Sequence, residues 1–98
     1  MRDTRVRNAT IESTFLGIED HGFFIAQVGM DYGSSGQAFQ RILSPESTRE
    51  VLTSILLAVG VDAWEKLLGK NCRVVVEGGL IRQIGHITQE NWTAFDWE

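Results

Sequence analysis

The stretch "SPESTREVLTSILLAVGVDAWEKLLG", Ser44 to Gly69, decides the fold class, because it is the helical part of a chain whose flanks read as extended. Ser47 is a good N-cap and Glu50, three positions on, completes a capping box. Val51, Leu52, Ile55, Leu56 and Val59 recur at helical spacing and form one apolar stripe. Gly60 then ends the helix as a left-handed cap. Asp62, with Glu65 three later, caps a second, shorter helix through "AWEKLL", which Gly69 closes.

Strands are expected on both sides. "ATIESTFLG" alternates, with Ile11, Ser13 and Phe15 facing one way and Thr10, Glu12 and Thr14 the other. Asp20, His21 and Gly22 read as a turn, and "FFIAQVGM" as a strand covered on both faces except at Gln27. "DYGSSGQAF" breaks the pattern before "QAFQRIL" resumes a short extended run. "CRVVVEGGLIRQIGHI" is a hairpin turning at Gly78-Gly79. A two-residue turn sets Glu77 against Leu80, Val76 against Ile81, Val75 against Arg82, Val74 against Gln83 and Cys72 against Gly85. The expected fold is α+β: an antiparallel β-sheet with two consecutive helices packed on one face and a C-terminal β-hairpin, in a single domain over residues 1–98.

Composition excludes several functions. A net charge of −4, from thirteen acids against nine bases, leaves no basic footprint for nucleic acid and no dense acidic face to mimic it. The longest apolar run, Ile55 to Val61, is too short to cross a bilayer. Cys72 is the lone cysteine and no basic-then-apolar leader opens the chain, so a cytoplasmic location is expected.

No catalytic set assembles. Cys72 faces away from His86 across the hairpin and reads as a small buried residue. Asp20-His21 lacks the further ligands a metal needs, so neither a metal site nor a cofactor is expected. "GSSG" is not a phosphate loop, because Gln37 follows Gly36 where a Walker sequence has lysine. Its backbone can still form a nest for one anionic oxygen, with Ser34, Ser35 and Gln37 as neutral donors. Arg73 and Arg82 share a hairpin face and could clamp a phosphate, or frame a solvated face with Arg73 neutralising Glu77. The aromatic tail "TQENWTAFDWE", with Trp92, Phe95 and Trp97, is expected to dock on the domain or on a neighbouring subunit.

In this order, "IESTFLGIEDHG", "DYGSSGQAF", "GVDAWEKLLGK" and "IGHI" followed by a tryptophan resemble a family of small bacteriophage proteins, the Thoeris anti-defence sponge proteins. The matching blocks cover a little over half of the chain. The resemblance implies an oligomeric, non-enzymatic protein of the infected bacterial cytoplasm that sequesters a cyclic nucleotide immune signal, such as a cyclic ADP-ribose isomer. Arg41, Arg73 and Arg82 would then serve phosphates, and Tyr32 or Phe39 an adenine face. The chain departs from the family in "QAFQRILSPES", a shortened form of a longer glycine-rich loop. That departure raises an alternative: an anti-CRISPR-type inhibitor that docks on a host defence protein through its sheet and aromatic tail.

Overall fold

The computed structural model describes residues 4–33, 36–78 and 80–93. Five strands, β1 (Thr4–Ile18), β2 (Phe24–Asp31), β3 (Gly36–Ile42), β4 (Asn71–Glu77) and β5 (Leu80–Gly85), form one antiparallel sheet in the order β3-β2-β1-β4-β5. One α-helix, α1 (Thr48–Val59), connects β3 to β4.

β1 organises the sheet. Its N-terminal half pairs with β4, from Thr4↔Glu77 to Thr10↔Asn71, and its C-terminal half with β2, from Thr10↔Asp31 to Ile18↔Phe24. The register slips between Ile11 and Ser13, leaving Glu12 as a bulge where the two halves meet. A bulge sharpens the local bend and twist. The sheet accordingly curls until its edge strands, β3 and β5, come within 8 Å of each other between Cα atoms. A three-stranded meander, a helix and a closing hairpin sharing β1 is the layout of a partly open five-stranded Greek-key barrel of the OB type.

The core fills the inside of this curl. Ile11, Val28, Met30, Phe39, Cys72, Val74 and Ile84 come from the five strands, and Val51, Ile55 and Val59 from α1. Among the described residues no helix is long and apolar enough to cross a membrane.

The expected pair of helices packed on one sheet face is corrected. Only α1 forms; the second segment is a three-residue 3-10 turn, Trp64–Lys66. The cause is long-range. Gly69 N–H donates to Ile11 O and Ile11 N–H to Lys70 O, both at 2.8 Å, so the chain is already extended against β1 by residue 69. Too few residues remain after Gly60 for a helix to repay its nucleation. Leu67 is instead driven fully into the core.

Two local expectations also change. Ser47 makes no side-chain cap; its hydroxyl engages Ser44 Oγ at 2.9 Å, and the first turn hangs from Ser44 O. Gly60 does end α1 in the left-handed region, at φ 92°. In the hairpin, Glu77↔Leu80 and Val76↔Ile81 pair as expected, but Arg82 bulges out. Val75 then meets Gln83, Val74 meets Ile84 and Arg73 meets Gly85. Ile81 and Ile84 are three apart, so strict alternation would expose one of them; the bulge buries both. The strand state of Thr4–Arg7, in which Val6 is the one apolar residue, is supplied by pairing with β4.

Candidate functional site

The residues nominated from sequence do not converge. Tyr32 is 5% exposed and Phe39 0%, both within the main core cluster, so neither presents a ring face to a ligand. The Arg7 guanidinium lies 5.6 Å from the Tyr32 ring centroid and donates from Nη2 to Tyr32 O at 3.2 Å. Gln37 and Arg41 are half-buried on β3, on the same strand face as Phe39. Ser34, Ser35, Phe95 and Trp97 lie outside the described residues.

The two hairpin arginines are each taken up by a carboxylate. Arg82 Nε stands 3.4 Å from Glu77 Oε1, which corrects the expected Arg73–Glu77 pairing. Arg73 holds down the segment after β5: Nε donates to His86 O at 2.7 Å, and Nη2 donates to Gln89 O at 2.6 Å and Glu90 Oε2 at 3.0 Å. Its guanidinium also packs 4.9 Å from the Trp92 ring centroid. Trp92 bridges back to Gly85 and lays its ring on that glycine, so this part of the aromatic tail docks on its own domain. Its indole N–H donates to Glu90 Oε1 at 3.2 Å. The Trp92 indole N–H and the Arg73 guanidinium together lower the Glu90 carboxyl.

Among the described residues the titratable groups do not come together as a reactive set. Cys72 is fully buried, donates to Met30 Sδ at 3.7 Å, and has its thiol pushed up to about 12 by desolvation. A thiolate nucleophile needs the opposite shift. His86 Nδ1 accepts the backbone N–H groups of Thr88 and Gln89, which ties that ring to its own loop. His21 Nδ1 sits 3.0 Å from Glu19 Oε2, and this bond, with the Phe23 N–H, lowers the Glu19 carboxyl. Among the described residues no group of three His, Cys, Asp or Glu side chains could hold a metal ion.

Two concavities border the sheet. The first lies against the glycine-rich turn: Asn8, Thr10 and Asn71 from β1 and β4, with Asp31 and Gly33, line a polar trough of about 370 Å³. Thr10 Oγ1 donates to Asn71 Oδ1 at 2.9 Å, which orients both side chains. Gly33 has φ +97°, and a Cβ there would stand 3.3 Å from Arg7 Nη2, so glycine lets the turn close over the arginine. The sequence reading missed Arg7, Asn8, Thr10 and Asn71. The alternation of Asn8 and Thr10 on β1, with a second amide, Asn71, at the start of β4, was the available signal.

The second concavity, about 420 Å³, lies on the outer face of β1–β3, the face by which OB-type barrels hold oligonucleotides. Phe15, Ile25, Gln27 and Gln40 floor it, and Glu19 and Asp20 stand at its rim. It has no lysine or arginine in its lining, so a polyanion gains nothing there. No protein-family model, curated protein or solved structure matches the chain. Fold and surface together describe a small OB-type barrel with two concavities on its sheet.

Proposed function

We propose that this protein is a non-catalytic phage counter-defence protein that binds and sequesters a cyclic nucleotide immune signal in the host cytoplasm. The observation that carries the reading is the polar trough in which Asn8, Thr10 and Asn71 come together with Gly33 and the Asp31 carboxylate. Its volume, about 370 Å³, falls within the range of small-molecule sites. The amides and the hydroxyl suit the edges of a base or ribose, and the Asp31 carboxylate can accept from a ribose hydroxyl or an exocyclic amine. The aromatic stacking role moves away from Tyr32 and Phe39, because both are enclosed.

The test is a thermal shift with cyclic ADP-ribose isomers and a panel of cyclic dinucleotides. Binding confined to the folded state adds about 2.7 kcal/mol at a hundredfold excess over Kd, which in a domain of this size raises Tm by roughly 10–20 °C. Asn71→Ala should reduce that shift. A flat response to every compound rejects the reading. A second reading, docking on a host defence protein, is favoured by the outer face of β1–β3, where Phe15 and Ile42 stay exposed. It predicts a co-purifying host complex that Phe15→Glu abolishes.

A further inference from the structure

The turn joining β1 to β2 is built to hold apolar side chains in water. Glu19 N–H donates to Phe23 O and Gly22 N–H to Glu19 O, both at 2.9 Å. Glu19 Oε1 accepts the N–H groups of His21 at 2.7 Å and Phe23 at 3.1 Å. The turn is satisfied by its own backbone and one carboxylate, yet Ile18 is 70% and Phe23 53% exposed, with Asp20 between them. A rigid, acidic, apolar tip has little ordering entropy left to lose on docking.

A groove of opposite character lies elsewhere on the molecule. Leu57 at the end of α1, Gly60 and Val61, and Lys66 and Lys70 line about 660 Å³. Lys66 and Lys70 are the only lysines in the chain, and both face this groove. Asp62 takes one of them, at 2.7 Å from Lys66 Nζ. The Lys70 charge is left in excess, and Leu57 (60%) and Leu68 (61%) are exposed nearby. The groove is anchored to β1 at Ile11 through the Gly69 and Lys70 backbone. The tip begins seven residues further along, roughly 23 Å away at strand rise. One chain cannot bring its own tip into its own groove.

We propose that a second copy of this chain occupies the groove: the β1–β2 tip of one protomer inserts head-to-tail between α1 and the Lys66–Lys70 segment of the next. Ile18 and Phe23 cover Leu57 and Val61, and Asp20 faces Lys70. A head-to-tail contact uses two different surfaces, so it closes into a ring or continues as a chain of protomers. The inference needs no ligand and stands apart from the trough reading.

The experiment is light scattering after size exclusion on the full chain, with Asp20→Lys, Lys70→Glu and their equimolar mixture. Wild type should run larger than a monomer and dissociate as salt rises. Each single reversal should weaken association at least about tenfold. The mixture should restore it, because each variant then offers a tip matched to the other's groove. Both positions are exposed, and circular dichroism checks that the variants fold. A monomeric wild type, an assembly indifferent to Lys70→Glu, or a mixture that stays dissociated each overturns the proposal.

Discussion

Gly85 is the sharpest test of how the end of the chain is held. Trp92 lies on it so closely that a Cβ at position 85 would come 2.5 Å from Cζ3 and 2.6 Å from Cδ2, and nearer still to Cε3. The indole cannot step aside cheaply. Arg73 packs against its ring, Glu90 takes its N–H, and the backbone on either side is tied by His86 N–H to Asn91 O and Thr93 N–H to Ile84 O, each at 2.9 Å. Gly85→Ala therefore forces an overpacked ring or displaces it, with loss of the cation–π contact. Overpacking costs about 1–3 kcal/mol and an exposed cation–π contact about 0.5–1, so a loss of roughly 2–3 kcal/mol is expected. For a domain of this size that lowers Tm by about 10–20 °C. Urea unfolding followed by circular dichroism measures it. The decisive arm is the same substitution in a Trp92→Ala background. With the ring gone, alanine suits a strand better than glycine, and Gly85→Ala should become neutral or stabilising by up to about 1 kcal/mol. An equal cost in both backgrounds, or a cost below about 0.5 kcal/mol in the wild type, refutes the reasoning.

Three further outcomes are expected. Gly60→Ala should cost about 1–2 kcal/mol by equilibrium unfolding, because φ is +92° and the new Cβ meets His86 Cδ2 at 3.0 Å. Arg73→Ala removes charge-assisted bonds to two carbonyls, and should cost about 2–3 kcal/mol and speed amide exchange at His86 and Thr93 by hydrogen-exchange mass spectrometry. Cys72 should resist alkylation until the protein unfolds. Since its folded thiol is raised to about 12 from 9.0, the unfolded chain loses its proton first, and stability should fall as pH rises from about 9 toward 12. A Cys72→Ala variant should lack that alkaline slope.

What could be read from the residues, and what could not, divides by the range of the forces involved. β2, α1 and the Gly78 hairpin follow from patterns contained within themselves, and all three form. The second helix was a local signal overruled from afar: Asp62 pairs with Lys66 instead of capping, and bonds to Ile11 extend the chain by Gly69. Thr4–Arg7 is the converse, with no apolar alternation of its own and its strand state supplied by β4. The nominated site divided in the same way. Arg73 and Arg82 are cations wherever they sit, and only the fold shows that Glu90 and Glu77 occupy them. Phe39, nominated for an adenine face, stands between Gln37 and Arg41 on its face of β3, and only the fold shows that it is enclosed.

Each surface now carrying a functional reading is placed by β1. Thr10 lines the trough, Ile11 fixes the lysine groove through Gly69 and Lys70, and Ile18 starts the tip. The Glu12 bulge sits among them and sets how the two halves of the strand are angled. With a side-chain period of two, a one-residue slip there would turn Ser13 to Ile18 over relative to Ala9 and Ile11. It would carry Phe15 from the outer face into the core and take Ile18 off the tip. The spacing from Thr10 to Ile18 therefore links the polar trough to the proposed contact between protomers, although no side chain need touch both.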